Sequence, residues 1–157
     1  MIGYAAGIAA ALEFGIARVK DLLKDMTPEQ LEAVPPGYAN SIATLLVHTY
    51  GLEARLGYDL QGQKMPPEVA EELLLTLPRT QTLPAVKGET AASLLARVEK
   101  SRSLLMEGLG ALTEEGLDRE LEMGPGRTIV VRRLLALLPQ HQGQHFGHMQ
   151  FIKKALG

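Results

Sequence analysis

The histidines are the residues of this chain whose type and spacing could do chemistry. The chain has four, and His141, His145 and His148 fall within one stretch of eight residues near its end. Neutral imidazole is a common ligand of zinc, nickel and iron, so clustered imidazoles could hold a divalent ion. Histidines at positions i and i+4 stack on one helix face and can bind the same metal.

On a helix these three histidines occupy a single arc of roughly 60°. The same arc carries the apolar side chains expected to face the core of a bundle, namely Leu134, Leu137, Leu138 and Ile152. The histidines are therefore predicted to point inward. Pro139 precedes them and is expected to kink the helix one turn earlier. Gly143 and Gly147 lie opposite, where a neighbouring loop or a second subunit could pack closely.

Several interpretations of the cluster are open at this point. The histidines could be hydrogen-bonded core side chains or partly exposed ones, without a metal. If a metal binds, His145 and His148 are a rival pair to His141 and His145. His48 shares its predicted helix face with leucines and could contribute from a second helix. Glu53 lies off that face, so we do not expect it to be a ligand.

The elements that must position these residues are predicted to be helices, because Leu and Ala dominate and aromatic residues make up only 4%. Four long helices are expected, at about Tyr4 to Lys24, from Asn40 or Ser41 to Gln61 and Gly62, at about Glu89 to Leu109, and from Thr128 to about Ala155. The predicted fold class is all-α, a four-helix bundle with long connections between helices 2 and 3 and between helices 3 and 4.

The segments between the four long helices contain sequence patterns that predict local structure. Thr27 and Gln30 have the spacing of a capping box, which predicts a short helical turn. PPEVAEELLLTLP is long enough for two or three helical turns. RTIVVRR is the only strand-like run, and because no partner run is evident we assign it to the start of the fourth helix.

Length and composition narrow the function classes. The 157 residues are predicted to form one domain, residues 1–157. A net charge of −2 gives no electrostatic reason to expect nucleic acid as a partner. The absence of cysteine excludes a thiol nucleophile and Cys-based metal ligation. The apolar N-terminal stretch lacks the features of a signal peptide and is too short to span a bilayer, so we expect no membrane association and a cytoplasmic protein.

Two segments together resemble the DinB/YfiT-like superfamily of metal-dependent enzymes. MTPEQLEAVPPGYANSIATLLVHTYGLEARL is similar to the family's short turn followed by a helix with a metal-binding histidine. HQGQHFGHMQFIKKALG is similar to its C-terminal pair of histidines four residues apart, with a final Leu-Gly. The separation of the two segments also fits, and the resemblance spans essentially the whole chain. Pro139 departs from the pattern, since the family often continues a regular helix there.

The resemblance implies a four-helix bundle in which His48, His141 and His145 bind one divalent metal ion. It places His148 beside these ligands, as a pocket residue. Because no carboxylate shares the histidine faces, we also take His148 as the candidate for a proton shuttle. The resemblance also implies a homodimer, and an activity among the family's thiol-dependent transferases and isomerases or its uncharacterised members.

The chemistry expected of such a site is metal-dependent transfer or hydrolysis on a small-molecule substrate, with a low-molecular-weight thiol as co-substrate. The metal could be Zn, Ni or Fe, because all three suit imidazole. Since no carboxylate shares the histidine faces, the alternative is a bundle that binds a metal or small ligand without turnover, as a dimer.

Overall fold

The computed structural model describes residues 1–75 and 83–157, which are mainly helical. In chain order the elements are α1 (Gly3–Leu12), α2 (Gly15–Leu23), α3 (Pro28–Glu32), α4 (Ile42–Leu60), α5 (Pro67–Glu72), α6 (Ala91–Ala111), α7 (Glu114–Leu117), β1 (Glu120–Gly124), β2 (Arg127–Val130) and α8 (Val131–Leu156). Four long segments, formed by α1 with α2, by α4, by α6 and by α8, pack together as a bundle. The predicted all-α, four-helix fold is confirmed.

Two clusters of buried apolar side chains fill the bundle. One cluster lies among α2, the first half of α4, the start of α6 and the end of α8, and includes Leu46 and Ile152. The other lies among α1, the end of α4, the end of α6 and the start of α8, and includes Leu105 and Leu135. The two clusters therefore lie at the two ends of the bundle.

Helices α4 and α6 pack most closely at a pair of glycines. A Cβ atom on Gly57 would overlap the carbonyl oxygen of Leu104, and one on Gly108 would lie 2.5 Å from the carbonyl oxygen of Gly57. Neither position is sterically allowed, so only glycine lets the two backbones approach this far. This contact holds α4 in register with α6.

The predicted helix starts are largely confirmed. Thr27 and Gln30 form the capping box at α3, with both reciprocal hydrogen bonds present. The Ser41 hydroxyl accepts a hydrogen bond from the backbone N–H of Thr44 at the start of α4. The third long helix, α6, begins at Ala91 rather than near Glu89, because Thr90 caps it.

The prediction of one continuous helix from Tyr4 to Lys24 is wrong. The chain forms α1 and α2, with Glu13 and Phe14 between them. The carbonyl oxygen of Leu12 accepts a hydrogen bond from Nη1 of the buried Arg102 at 2.5 Å. That side chain satisfies a carbonyl at the end of α1, and Gly15 is a weak helix former, so the break is stabilised locally.

The assignment of RTIVVRR to the start of the fourth helix is also wrong. Residues 127–130 form β2, which pairs in antiparallel register with β1 (Glu120 opposite Val130, Leu121 opposite Ile129), and α8 begins only at Val131. The partner strand was missed because ELEMG contains no β-branched residue, so its propensity for a strand is weak.

The connection between α4 and α6 contains α5, which spans Pro67–Glu72 and confirms a short helix at the start of PPEVAEELLLTLP. Residues 76–78 of that predicted segment lie outside the described residues. Within residues 1–75 and 83–157, no helix combines the length and the apolar character needed to cross a membrane.

Candidate metal centre

Three of the four histidines meet where α4 and α8 face each other. His48 projects from α4, and His141 and His145 project from adjacent turns of α8. Their ring centroids are separated by 5.2 Å (His48 to His141), 5.0 Å (His48 to His145) and 4.5 Å (His141 to His145). All three side chains are half-buried. The structure thus brings together the residues predicted from the sequence.

The nitrogen positions fit the coordination of one ion. One ring nitrogen from each histidine lies within 4.8 Å of the corresponding atoms of the other two. Nε2 of His141 lies 3.3 Å from Nε2 of His48. Two imidazole nitrogens bound to one tetrahedral zinc ion are about 3.4 Å apart, given bond lengths of about 2.0–2.1 Å. The donor set suits zinc, nickel or iron without selecting among them.

The cluster also leaves polar atoms unsatisfied. The Nδ1 atoms of His141 and His145 are buried and have no hydrogen-bond partner among the described residues. Buried polar atoms without partners are rare, because desolvating them lowers stability by about 1–3 kcal/mol each. Each such atom in a native protein calls for an explanation, of which a bound water molecule or ion is one.

The electrostatics favour neutral imidazoles. Burial, together with the neighbouring His141 and His148, lowers the pKa of His145 to about 4. Burial also lowers the pKa of His141, with a contribution from His48. A metal binds the neutral form of histidine, so these side chains are available as ligands at neutral pH without losing a proton first.

His148 lies beside the three histidines, outside their group. Its ring centroid is 5.8 Å from that of His145, and its side chain is exposed. The rival pairing of His145 with His148 gains no support from this geometry, because His148 is absent from the set of converging nitrogens among the described residues.

The inward arc of α8 is confirmed for most of its members. Leu134, Leu138 and Ile152 are at most 6% exposed. Leu137, at 42% exposed, and the exposed His148 are the exceptions, so the arc is open to solvent on both sides of His141 and His145. On the opposite side, a Cβ atom added to Gly143 or Gly147 would have no described atom within 4 Å, so no described loop of this chain packs there.

A buried ion pair between α4 and α6 was missed from the sequence. Glu53 is fully buried, and its Oε2 and Oε1 accept hydrogen bonds from Nε and Nη2 of Arg102 at 2.7 and 2.9 Å. Burial raises the pKa of the Glu53 carboxyl, and Arg102 opposes that shift. The available signal was Arg102 itself, a charged residue in the apolar stripe of α6 between Val98 and Leu105.

This ion pair settles the position of Glu53 relative to the histidines. Both carboxylate oxygens are engaged by Arg102, so the expectation that Glu53 is not a ligand agrees with its contacts. The side chains of Arg55 and Asp59, also on α4, form an ion pair near the surface, with Nε 3.5 Å from Oδ2.

The comparisons with known proteins agree with the fold. No curated protein matches the chain. Among solved structures, the crystal structure of the conserved protein of locus from Enterococcus faecalis is similar, with 17% sequence identity and a TM-score of 0.76 over 99% of this chain and 98% of that chain. At this identity the likeness shows the fold alone. Residues 11–149 match the DinB superfamily, a span that includes all four histidines and most of every long helix. The chain belongs to the DinB superfamily.

Proposed function

We propose that His48, His141 and His145 hold one divalent metal ion and that the protein is a metal-dependent transferase or hydrolase. The observation that carries the proposal is the convergence of three half-buried imidazoles, with one nitrogen of each within 4.8 Å of the others, between two helices. Membership of the DinB superfamily supports it. A set of three protein ligands leaves coordination positions for a substrate, which is the arrangement of a catalytic rather than a structural site.

The protein residues have separate roles in this proposal. The ion supplies Lewis-acid chemistry, which lowers the pKa of a water or thiol that it binds. His48, on α4, and the pair on α8 position the ion between two helices, and the apolar side chains around them limit access of water. His148 is exposed next to His145 and is the proposed proton shuttle between the site and solvent.

The co-substrate in this proposal is a low-molecular-weight thiol. Cysteine is absent from the chain, so the protein has no thiol of its own to offer. A divalent metal held by the three histidines would favour the thiolate form of such a co-substrate, and His148 would take up the released proton, which would compensate for the lack of a dedicated base. We also propose a homodimer, which size-exclusion chromatography with light scattering tests directly.

A second candidate is a bundle that binds a metal or small ligand without turnover. One observation favours it: among the described residues, no carboxylate joins the group of converging histidines, and the buried Glu53 is fully occupied by Arg102. General acid–base catalysis then depends on His148 or on solvent.

Elemental analysis tests the metal site. Wild-type protein expressed with Zn, Ni and Fe available should carry close to one equivalent of metal, and His48→Ala, His141→Ala and His145→Ala should each lose most of it. His148→Ala is the matched control and should retain it. If His148→Ala empties the site while His141→Ala does not, the ligand set is wrong.

An assay of catalytic turnover distinguishes the metal-dependent enzyme from the non-catalytic binding protein. Metal-loaded wild type is mixed with cysteine and monobromobimane to detect thiol transfer, and with para-nitrophenyl acetate to detect hydrolysis. The enzyme proposal predicts that either rate exceeds that of His48→Ala at equal concentration. A fully loaded protein that accelerates neither reaction favours the binding protein.

A further inference from the structure

A cavity of about 400 Å³ lies beside the histidines, with His141 in its wall. The hairpin of β1 and β2 forms one side of it, α8 forms another, and Leu52 of α4 contributes as well. This volume falls in the range of sites for small molecules, which is about 300–1,000 Å³. The cavity is therefore large enough, and close enough to His141, to hold the main part of a small molecule whose reacting group lies at the candidate metal centre.

Most of the lining is apolar. The aliphatic and thioether side chains that face the cavity are Leu52, Met123, Ile129, Leu134, Leu137 and Leu138. The exposure of Leu137, at 42%, follows from its position in this wall. An apolar ligand that covers such a side chain removes apolar surface from water, and this favours binding. The interior thus suits a hydrocarbon or aromatic body.

Two arginines line the cavity, together with the polar side chains of Thr128 and His141. Arg127 of β2 and Arg133 of α8 both line the cavity and are exposed. Neither forms an ion pair or side-chain hydrogen bond with a described residue, whereas the adjacent Arg132 is paired with Asp118 through Nη2 at 3.3 Å. Guanidinium groups bind carboxylate, phosphate and sulfonate oxygens in bidentate geometry. Two such guanidiniums on one apolar cavity favour an anionic ligand.

The spacing of the cavity residues along α8 determines the length and orientation expected of that ligand. Arg133, Leu137 and His141 lie at i, i+4 and i+8, which places them in one stripe with a rise of about 12 Å from first to last. An acidic group at the arginine end and a reacting group at the histidine end must therefore be separated by an apolar segment about two helical turns long.

The hairpin wall is held against the bundle by several contacts. Nη2 of Arg55 donates a hydrogen bond to the carbonyl oxygen of Glu122 at 3.4 Å. Nη2 of Arg119 donates to the carbonyl oxygen of Asp59 at 2.5 Å, and the backbone N–H of Val131 donates to the carbonyl oxygen of Arg119 at 2.9 Å. The cavity wall is thus formed by anchored backbone.

We infer that this cavity binds an amphipathic organic anion, with its acidic group at Arg127 and Arg133 and its apolar body along Leu137 towards His141. That the anion is the substrate or its carrier moiety rests on the proposed function. The binding of the anion does not depend on it, because the arginines and the apolar wall lie outside the metal centre.

Calorimetric titration with matched probes tests the inference. The probes are octanoate, its uncharged analogue octanamide, and the shorter butyrate, each added to wild type with its metal content measured. Octanoate should bind at least roughly tenfold more tightly than either of the others, since it alone offers both charge and apolar length. The ¹³C-labelled methyl resonance of Met123, assigned with Met123→Leu, should shift with octanoate and locates the binding.

Arginine variants test whether octanoate binding requires Arg127 and Arg133 themselves or only the overall positive charge of the protein. The double variant Arg127→Gln/Arg133→Gln should weaken octanoate binding by roughly tenfold and leave octanamide binding unchanged. Arg132→Gln, compared with each single variant Arg127→Gln and Arg133→Gln, is the control, because it removes one positive charge at an adjacent position outside the cavity. Equal binding of octanoate and octanamide, no binding of octanoate, or equal loss in the Arg132→Gln control would each overturn the inference.

The two proposals fail in different ways. Wild type that carries no metal and still binds octanoate through the two arginines contradicts the proposed function and leaves this cavity assignment standing. Wild type that holds one metal ion, and whose octanoate binding is unchanged when the two arginines are replaced, contradicts the cavity assignment and leaves the proposed function standing.

Discussion

Among the described residues, two groups of polar side chains between the helices are built in opposite ways. Between α4 and α6, Glu53 and Arg102 satisfy each other, and Arg102 also donates to the carbonyl of Leu12. Between α4 and α8, three histidines converge, and two of their Nδ1 atoms are buried without a partner among the described residues. The two charges of the first group are complete within the chain, although the neighbouring Gln142, which accepts a hydrogen bond from Arg102, has a buried Nε2 without a described partner. The second group contains no ion pair among the described residues and is incomplete there. The difference matches a structural role for the first group and the proposed metal-binding role for the second.

The largest expected effect comes from breaking the complete group. Arg102→Met leaves the Glu53 carboxylate buried and unpaired, and we expect the free energy of unfolding to fall by about 3–5 kcal/mol. Urea denaturation measures it. Arg97→Met on the same helix is the control: its pair with Glu89 is more exposed, so the loss should be about 1 kcal/mol or less.

The double variant Glu53→Leu/Arg102→Met sharpens this result. Because it removes both charges together, it should recover most of the stability that Arg102→Met loses. If Arg102→Met is no more destabilising than Arg97→Met, the ion pair does not have the structural role given to it here.

A substitution in the incomplete group, the three histidines, should change the free energy of unfolding in the opposite direction. In metal-free protein, His145→Leu removes a buried nitrogen without a partner and adds apolar surface, so the free energy of unfolding should rise by about 1 kcal/mol. Urea denaturation in the presence of a chelator measures it. A loss of about 2 kcal/mol or more, similar to that of a core truncation, would mean that His145 is a structural residue.

The pH dependence of metal-free protein gives a smaller effect with a defined sign. The pKa of His145 is about 4 in the folded chain and near 6.5 in the unfolded chain. Between these values the unfolded state binds the proton and the folded state does not, so stability falls as the pH is lowered through this window. The urea midpoint should drop from pH 7 to pH 5, and by less in His145→Leu. An equal drop in both proteins would show that His145 does not contribute.

The smallest effect is expected for an exposed pair that belongs to neither group. Lys20 and Glu99 lie 2.9 Å apart with both side chains about half exposed. Lys20→Gln should change the free energy of unfolding by no more than about 0.5 kcal/mol, because solvent and salt screen the pair. A thermal melt at low and high salt checks it, and a loss comparable to that of Arg102→Met would show that burial is not what distinguishes the pairs.

The sequence was sufficient to predict the parts of the fold governed by local patterns. Apolar periodicity located α4, α6 and α8, and the capping residues Thr27 and Ser41 marked helix starts correctly. The same periodicity placed His141 and His145 inward, where they are half-buried, but it was wrong for the exposed His148. The convergence of His48 with the pair on α8 was expected from the resemblance to the superfamily, since helical spacing on one helix carries no information about its neighbour.

The features that were missed depend on contacts between distant residues. The break after Leu12 is stabilised by Arg102, which lies 90 positions away in the sequence. The strand β1 exists because β2 pairs with it, and its own residues have low strand propensity. The cavity beside His141 is a consequence of that hairpin, so neither its apolar wall nor the two arginines could be anticipated from a helix over residues 127–130.

The central claim, that three histidines from two helices hold one metal ion, is tested most directly by titrating Co²⁺ into chelator-treated protein and following its visible absorption. We expect saturation at one equivalent, with the intense bands of a low-symmetry, imidazole-bound ion, and loss of that signal in His48→Ala but not in Arg132→Gln. Saturation at one equivalent with an unchanged spectrum in His48→Ala, or no saturable binding by the wild type, would contradict the claim.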